Sequence, residues 1–406
     1  MRKNMKSIAE ISEEDKRQVE RDLRYRIFSD QEMARRTTRM QEELRANNLD
    51  AMLLTDEVNV LYFAGMAVPS FATRTRPIIV VVPVDNPPIL ICSRSQSSNA
   101  RSASWIQSIA IFEKFEEDAI DTAAEVLSQF VPDNGQIGCE IGKEQRLGLS
   151  FHGFQRLTKR LKTREFVDGS AALWSVRIIK GSEEIVFMKE SGRINELAMA
   201  AAISAAGSGV SEMSVRNAWA IELARHGVDR PGYLAIHSGA NNYRRISSSG
   251  TERILQSGDL LWMDGGPIFR GYWSDITRMV SIGKARPADK QRYAFACDTV
   301  QALVDSAKPG ITAGDIARHG QKLFASKGRL MGGASRIGHG IGIELTEPPS
   351  IIDGDETVLV EGMTLSIETG LADWDGYFLM ETNLVITNSG SDVLSSPAST
   401  TLPETI

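Results

Sequence analysis

Two stretches of this 406-residue chain place carboxylates among residues that are ordinarily buried. The first runs Asp259-Leu260-Leu261-Trp262-Met263-Asp264-Gly265-Gly266-Pro267-Ile268-Phe269-Arg270-Gly271-Tyr272-Trp273-Ser274-Asp275-Ile276-Thr277-Arg278 and reads as a β-hairpin with Pro and Gly around its turn. A turn centred between Phe269 and Arg270 would set Asp264 opposite Asp275. The second joins Met363–Gly370 to Gly376–Thr382 through a turn near Trp374-Asp375, which sets Glu368 opposite Glu381. Like charges directly opposite destabilise an antiparallel pair, so each arrangement needs a cation between the carboxylates or a shifted pKa. One such pair alone reads as a surface or hydrogen-bonded pair. Two of them, each flanked by Leu, Ile, Met and Phe, point to a buried cation site. A fifth candidate ligand is His339 in Gly338-His339-Gly340-Ile341-Gly342, whose flanking glycines allow a close backbone approach. Those glycines lack the GxGxxG spacing and βαβ setting of a nucleotide loop. Four carboxylates and one imidazole form a hard, oxygen-rich donor set suited to Mn, Fe or Co, with Zn also admissible, and their four negative charges balance two divalent ions. Two such ions, typically about 3.5–4 Å apart, bridge a water and clamp the oxygens of a reacting carbonyl.

The elements that must position these groups fall into two sets. Helical spacing runs from about Asp30 to Asn47, followed by strand-like Ala51–Thr55, Ile78–Pro83 and Pro88–Ser93, helical Asp118–Phe130, a strand at Gln136–Glu140 and a helix at Ser150–Leu161. Strands alternating with helices predict an α/β first domain over 1–172. The turn and helix-start signal Lys180-Gly181-Ser182-Glu183-Glu184 then opens a long helix to about Ala206. Helical Ser211–His226, strands within Leu234–Ile282, helices Ala288–Ala307 and Ala313–Lys327, and strand and turn from Arg336 to Thr387 predict an α+β domain of two similar halves over 173–406. Apolar residues at 42% and charged residues at 24% place the chain among ordinary globular proteins. A net charge of −6 supplies no broad positive field for nucleic acid. No apolar run approaches a membrane span and no apolar segment opens the chain, so a cytoplasmic location is expected. Cys92, Cys139 and Cys297 match no metal spacing and read as reduced, buried thiols. The final Leu402-Pro403-Glu404-Thr405-Ile406 reads as tail.

The five candidates, in this order and with these neighbours, resemble the ligand signature of the creatinase, prolidase and Xaa-Pro aminopeptidase superfamily, and Val176-Arg177-Ile178-Ile179-Lys180-Gly181-Ser182-Glu183-Glu184-Ile185 resembles the start of its catalytic domain. The resemblance covers nearly the whole chain. It implies a pita-bread α+β catalytic domain behind a smaller creatinase-like α/β domain, and a homodimer. Carried over residue by residue, Asp264 would chelate one ion, His339 and Glu368 the other, and Asp275 and Glu381 would bridge both. A metal-bridging hydroxide would attack a small amide or dipeptide, with Glu368 accepting the proton. Trp273, two residues from Asp275, would face the ions and stack on a proline ring or an onium cation. The segment Asn59–Gly65 with Arg74-Thr75-Arg76-Pro77 resembles the part that reaches the partner's site in creatinase-like dimers, where Arg76 would clamp a substrate carboxylate.

Three departures bear on the substrate. Peptidases of the superfamily carry a histidine where Ile246 stands, seven residues beyond Gly239, and another where Thr346 stands, seven beyond His339. They often carry an arginine where Leu379 stands. Those groups orient and protonate the peptide, so the substrate is open between a dipeptide and another small amide. The alternatives are a lyase or C–N hydrolase acting on a betaine-like osmolyte such as dimethylsulfoniopropionate, ectoine or a creatine-like compound, and a pita-bread binding module without catalysis.

Overall fold

A computed structural model describes residues 27–66, 75–240, 248–327, 336–373 and 376–405. The chain separates into two compact units at Val176/Arg177, inside a helix and four residues beyond the expected boundary.

In the first unit α1 (Asp30–Ala46), α2 (Glu57–Ala64), α3 (Ser97–Ala103), α4 (Glu116–Phe130) and α5 (Phe151–Arg160) accompany one mixed sheet. Its strands are β1 (Ala51–Leu54), β2 (Ile79–Pro83), β3 (Ile89–Ser93), β4 (Ser108–Phe112), β5 (Gln136–Cys139) and β6 (Glu165–Asp168), in the order β4-β3-β2-β1-β5-β6. Strand β2 runs antiparallel to β1 and β3, while β5 runs parallel to β1 and β6. The sequence reading missed α2, α3, β4 and β6. Each is short, and β4 is only partly buried, so its Ser-Ile-Ala-Ile-Phe lacks the apolar density of β2. Helix α6 (Ser170–Arg177) spans the boundary.

The second unit opens with α7 (Ser182–Ala205) and α8 (Glu212–Arg225), followed by β7 (Arg230–Ser238), β8 (Leu260–Phe269), β9 (Tyr272–Trp273) and β10 (Ile276–Ser281). Helices α9 (Pro287–Ser306) and α10 (Ala313–Ser326) then lead to β11 (Gly338–Gly340), β12 (Glu347–Ser350), β13 (Thr364–Asp373), β14 (Gly376–Ile386) and β15 (Ser391–Val393). Helix pair then antiparallel sheet occurs twice, which matches the predicted α+β pattern of similar halves. One sheet orders β10-β8-β7 with β9 extending the β8 hairpin, and the other orders β12-β11-β13-β14-β15. One core packs α7 and α8 on β7, β8 and β10; another packs α9 and α10 on β13 and β14. Burying an apolar stripe of each helix against a sheet supplies the hydrophobic driving force.

The two hairpins test the expected registers. Strands β13 and β14 pair with Glu368 opposite Glu381, as predicted, and their tip at Trp374-Asp375 lies outside the described residues. In the other hairpin Asp264 pairs with Thr277, two positions from Asp275. The turn is Arg270-Gly271, with φ of 53° and 85°, one residue beyond the expected centre. Positive φ at both central residues is what a two-residue turn of the strands' own twist requires, and this chain accepts the cost of an arginine there. A two-residue slip preserves the faces, so Asp264 and Asp275 still lie on one side of the ribbon. The C-terminal residues are also more than a tail. Leu402 is buried, and Ser281 on β10 donates to Pro403 O and accepts from the Thr405 amide at 2.9 Å each.

Candidate metal centre

Strand β11 lies between β12 and β13, with His339 opposite Ser366, and β10 packs on β14. These contacts gather residues from three places in the chain. Donor atoms of Asp275, His339 and Glu381 lie within 4.8 Å of one another, and all three residues are buried. Asp264 and Glu368 are half-buried at the edge of this group, and their charges are felt by its members. Three of the five residues singled out in the sequence thus bring their donor atoms together, and the carboxylates of the other two act on them.

The glycines beside His339 serve a purpose other than the one expected. A Cβ on Gly338, whose φ is 150°, would lie 2.2 Å from Ser366 O, and one on Gly340 2.1 Å from Pro348 O. They let β11 fit between its neighbouring strands.

Hydrogen bonds fix the group. Thr277 donates to Asp264 Oδ1 at 2.7 Å. The Asp275 amide donates to Asn383 Oδ1 at 2.8 Å, Asn383 Nδ2 donates to Ser366 Oγ at 2.9 Å, and Ser366 donates to Glu381 Oε1 at 2.6 Å. His339 Nδ1 lies 2.9 Å from Gly340 O. A carbonyl only accepts, so Nδ1 carries the proton and Nε2 offers its lone pair. Behind Asp264 an aromatic wall is formed by His237, stacked on Trp262 with centroids 4.7 Å apart, and Tyr377, edge-on to Trp262 at 5.4 Å. Sequence reasoning overlooked Thr277, Ser366, Asn383 and this wall. The available signal was alternation, since Thr277 and Asn383 each stand two residues after a candidate ligand.

The electrostatics are those of a cation site. Burial, then repulsion from Asp264 and Glu368, pushes the Asp275 carboxyl well above the ordinary range. Burial and the neighbouring carboxylates do the same to Glu381. Burial raises Asp264, and burial with Asp264 nearby raises Glu368 to about 7. Burial, helped by Arg336, lowers His339 to about 4, keeping the imidazole neutral. Asp275 Oδ1 is buried with no donor among the described residues. Converging carboxylates, a neutral imidazole lone pair and an orphaned carboxylate oxygen fit divalent cations held by oxygen and nitrogen.

Trp273 pairs with Ile268 in the register that sets Thr277 opposite Asp264, so it shares the carboxylates' face. It is half-buried, and its ring packs on Gly232. Arg76 belongs to the first unit, where it is exposed, with its guanidinium carbon 5.3 Å from the centroid of Phe115; Arg74 lies outside the described residues. Of the three departures, Ile246 also lies outside the described residues. Thr346 is half-buried and accepts a hydrogen bond from Arg336 Nη2 at 3.3 Å. Leu379 is buried, and its carbonyl receives the Trp262 indole N–H at 3.1 Å. Among the described residues no helix is long and apolar enough to cross a membrane.

Residues 36–179 match the creatinase/prolidase N-terminal domain, and residues 186–388 match metallopeptidase family M24. An Xaa-Pro dipeptidase of Pyrococcus horikoshii is 31% identical over 258 residues, 63% of this chain and 72% of that one. The Xaa-Pro dipeptidase of Pyrococcus furiosus is 25% identical over 367 residues, 89% of this chain and 98% of that one. Among solved structures, the prolidase from Pyrococcus horikoshii OT3 superposes with a TM-score of 0.76 at 25% identity, covering 90% of this chain and 99% of that one. The Xaa-Pro dipeptidase from Bacillus anthracis, at 22% identity, shares the fold with a TM-score of 0.80 over 92% of this chain and 100% of that one. The chain belongs to metallopeptidase family M24, as a two-domain member that carries the creatinase/prolidase N-terminal domain.

Proposed function

We propose that this protein is a metal-dependent hydrolase of the Xaa-Pro peptidase type that cleaves a small amide or dipeptide. The observation that carries the reading is the convergence of Asp264, Asp275, His339, Glu368 and Glu381, with Asp275, His339 and Glu381 within 4.8 Å. These five residues would hold two divalent ions, of which Mn, Fe or Co suit the donors best. When bound, such ions activate water and polarise the scissile carbonyl.

The chain's own groups do the rest. Asn383 fixes the backbone at Asp275, Thr277 orients Asp264, Ser366 orients Glu381, and Gly340 O sets the tautomer of His339. Such supporting hydrogen bonds hold ligands in register. Glu368 retains 17% exposure, so it can take up and return a proton at the edge facing substrate. Trp273 on the same face offers a surface for the substrate's ring. The similar proteins are dipeptidases and aminopeptidases, so a betaine lyase and a binding module are not carried forward. A homodimer is part of this proposal by family resemblance. A cytoplasmic location is part of it too, supported by three free, buried cysteines.

The test is elemental analysis of the purified protein followed by turnover of Xaa-Pro dipeptides with Mn²⁺, Co²⁺ or Fe²⁺. About two ions per chain with cleavage are expected, and Asp275→Asn should lose both ion content and cleavage. Full ion loading and turnover in Asp275→Asn would refute the site, whereas loaded wild type that leaves dipeptides intact would refute the peptide substrate.

A further inference from the structure

Asp264 stands on β8 and Asp275 just before β10, whereas Glu381 stands on β14 of the other sheet. Register fixes positions within a sheet, so the spacing of ligands across the two sheets is set by whatever joins β10 to β14. One link is the Asn383 side chain, which accepts from the Asp275 amide. The chain that follows β15 supplies another.

Past Val393 that chain stays on β14 for one more step, where the Leu394 amide donates to Asn383 O at 2.8 Å and the Asn383 amide reaches Ser395 Oγ at 3.4 Å. It then turns to β10. Arg278 donates through Nη2 to Ser396 O at 2.7 Å and through Nη1 to Thr277 O at 2.8 Å. Helix α7 closes the third side, since the Ser396 amide donates to Glu196 Oε1. A turn earlier on that helix, a Cβ on Gly192 would lie 2.5 Å from Leu394 O. Leu394 and Ser395 are buried although Val393 and Ser396 on either side are exposed. Three consecutive residues therefore grip Asn383, which holds Asp275, and through Arg278 the peptide of Thr277, which holds Asp264.

We propose that residues 394–396 are a clamp across the two sheets that holds Asp264 and Asp275 at the spacing from Glu381 that divalent ions require, with Glu196 and Arg278 as its positioning residues. This rests on the metal-dependent reading of the site. Supporting groups of this kind act on ion affinity through the ligands they orient. A purely structural segment would contribute to stability alone. Coupling between sites is reciprocal, so a clamp that tightens ion binding is itself tightened when ions bind.

The test measures Mn²⁺ affinity of the full-length protein by competition with a fluorescent chelator, alongside urea unfolding and hydrogen exchange with and without Mn²⁺. Glu196→Ala removes the acceptor of the Ser396 amide, and Arg278→Lys puts one ammonium where a fork spans two carbonyls. Each is expected to weaken Mn²⁺ binding about tenfold or more, whereas Glu196→Gln, which keeps an acceptor, should stay close to wild type. Thr312→Ala, which removes the N-cap of α10, should lose stability and keep wild-type affinity. In wild type, saturating Mn²⁺ should slow exchange of the Leu394 and Ser396 amides about tenfold. Wild-type affinity in Glu196→Ala or Arg278→Lys, an equal loss in Glu196→Gln or Thr312→Ala, or exchange indifferent to Mn²⁺ would overturn the proposal. Coupling in a protein that loads Mn²⁺ but cleaves no Xaa-Pro dipeptide would overturn the peptidase reading and leave the clamp standing. Dipeptide cleavage with ion affinity indifferent to Glu196 would do the reverse, and a wild type that binds no Mn²⁺ would overturn both.

Discussion

Stripping divalent ions from this protein should invert the dependence of its stability on pH. In the ion-free site Glu368 has its carboxyl raised from 4.5 to about 7, by burial first and then by Asp264, with Arg336 opposing. A carboxyl whose folded pKa lies above its unfolded one binds its proton more tightly in the folded state. Its stabilising contribution is complete below about pH 4.5 and is lost as pH rises through about 7. For Glu368 that loss is about 3 kcal/mol, and Asp264, Asp275 and Glu381 are raised in the same direction. The loaded protein should behave oppositely, because ions bind deprotonated ligands and stabilise the state that holds them. Urea unfolding followed by tryptophan fluorescence between about pH 5 and about pH 8, with chelator or with Mn²⁺, reads both slopes. Glu140 in the first unit is also raised to about 7 by burial, so the slope alone is not specific to the site. The deciding comparison is Glu368→Gln in chelator, which should be flatter than wild type by about 3 kcal/mol across that range. Identical slopes for the two proteins would refute the claim that Glu368 ionises among buried carboxylates.

Two further perturbations probe the supports of the site. Asn383→Ala removes the acceptor for the Asp275 amide and the donor to Ser366; it should cost about 1–3 kcal/mol in urea unfolding and weaken Mn²⁺ binding by about 10–100-fold in a titration against a fluorescent chelator. Arg177 bonds to both Glu344 and Glu347 on the segment following His339, while Lys180 holds the other oxygen of Glu347; Arg177, Lys180 and Glu347 are buried and Glu344 is half-buried. Arg177→Met strips Glu344 of this partner and leaves Glu347 to Lys180; it should destabilise the second unit by about 1–3 kcal/mol in unfolding monitored by hydrogen exchange, and adding Glu347→Gln, which takes this counter-charge from the buried Lys180, should destabilise it further.

The parts of the site that were legible in the sequence are those with a local cause. Glu368 and Glu381 lie on two adjacent strands with one short turn, and period-two alternation suffices to pair them. Asp264 and Asp275 share the same logic, but the turn's position depends on Arg270 adopting a left-handed conformation that arginine seldom takes, so the register came out two residues off while the face was right. His339 was found by its glycines, although those glycines are explained by strand packing. Arg336 was not legible. Nothing local distinguishes it from a surface arginine, and its position beside Glu368 depends on β11 lying against β13, a pairing across a long stretch of chain. The short elements of the first unit were missed for the converse reason, since α2 and α3 have eight and seven residues and too few turns to show a period.

The separation between floor and rim gives the departures at 346 and 379 a physical meaning. Asp275, His339 and Glu381 are fixed by strand register and by hydrogen bonds from Asn383, Ser366 and main-chain carbonyls, and all of these lie within one tightly packed unit. A change there disturbs a buried polar network and is costly. Position 379 contributes to that network through its backbone, since Trp262 bonds to the Leu379 carbonyl whatever the side chain, and Thr346 lies half-buried on a segment held by Arg177 and Lys180 through Glu347. Substitutions at these two positions can therefore alter what the site grips without moving a candidate ligand. That is why ion content should respond to Asp275 and Asn383 and be insensitive to the side chains at 346 and 379, which ion analysis of Thr346→Ala and Leu379→Met checks.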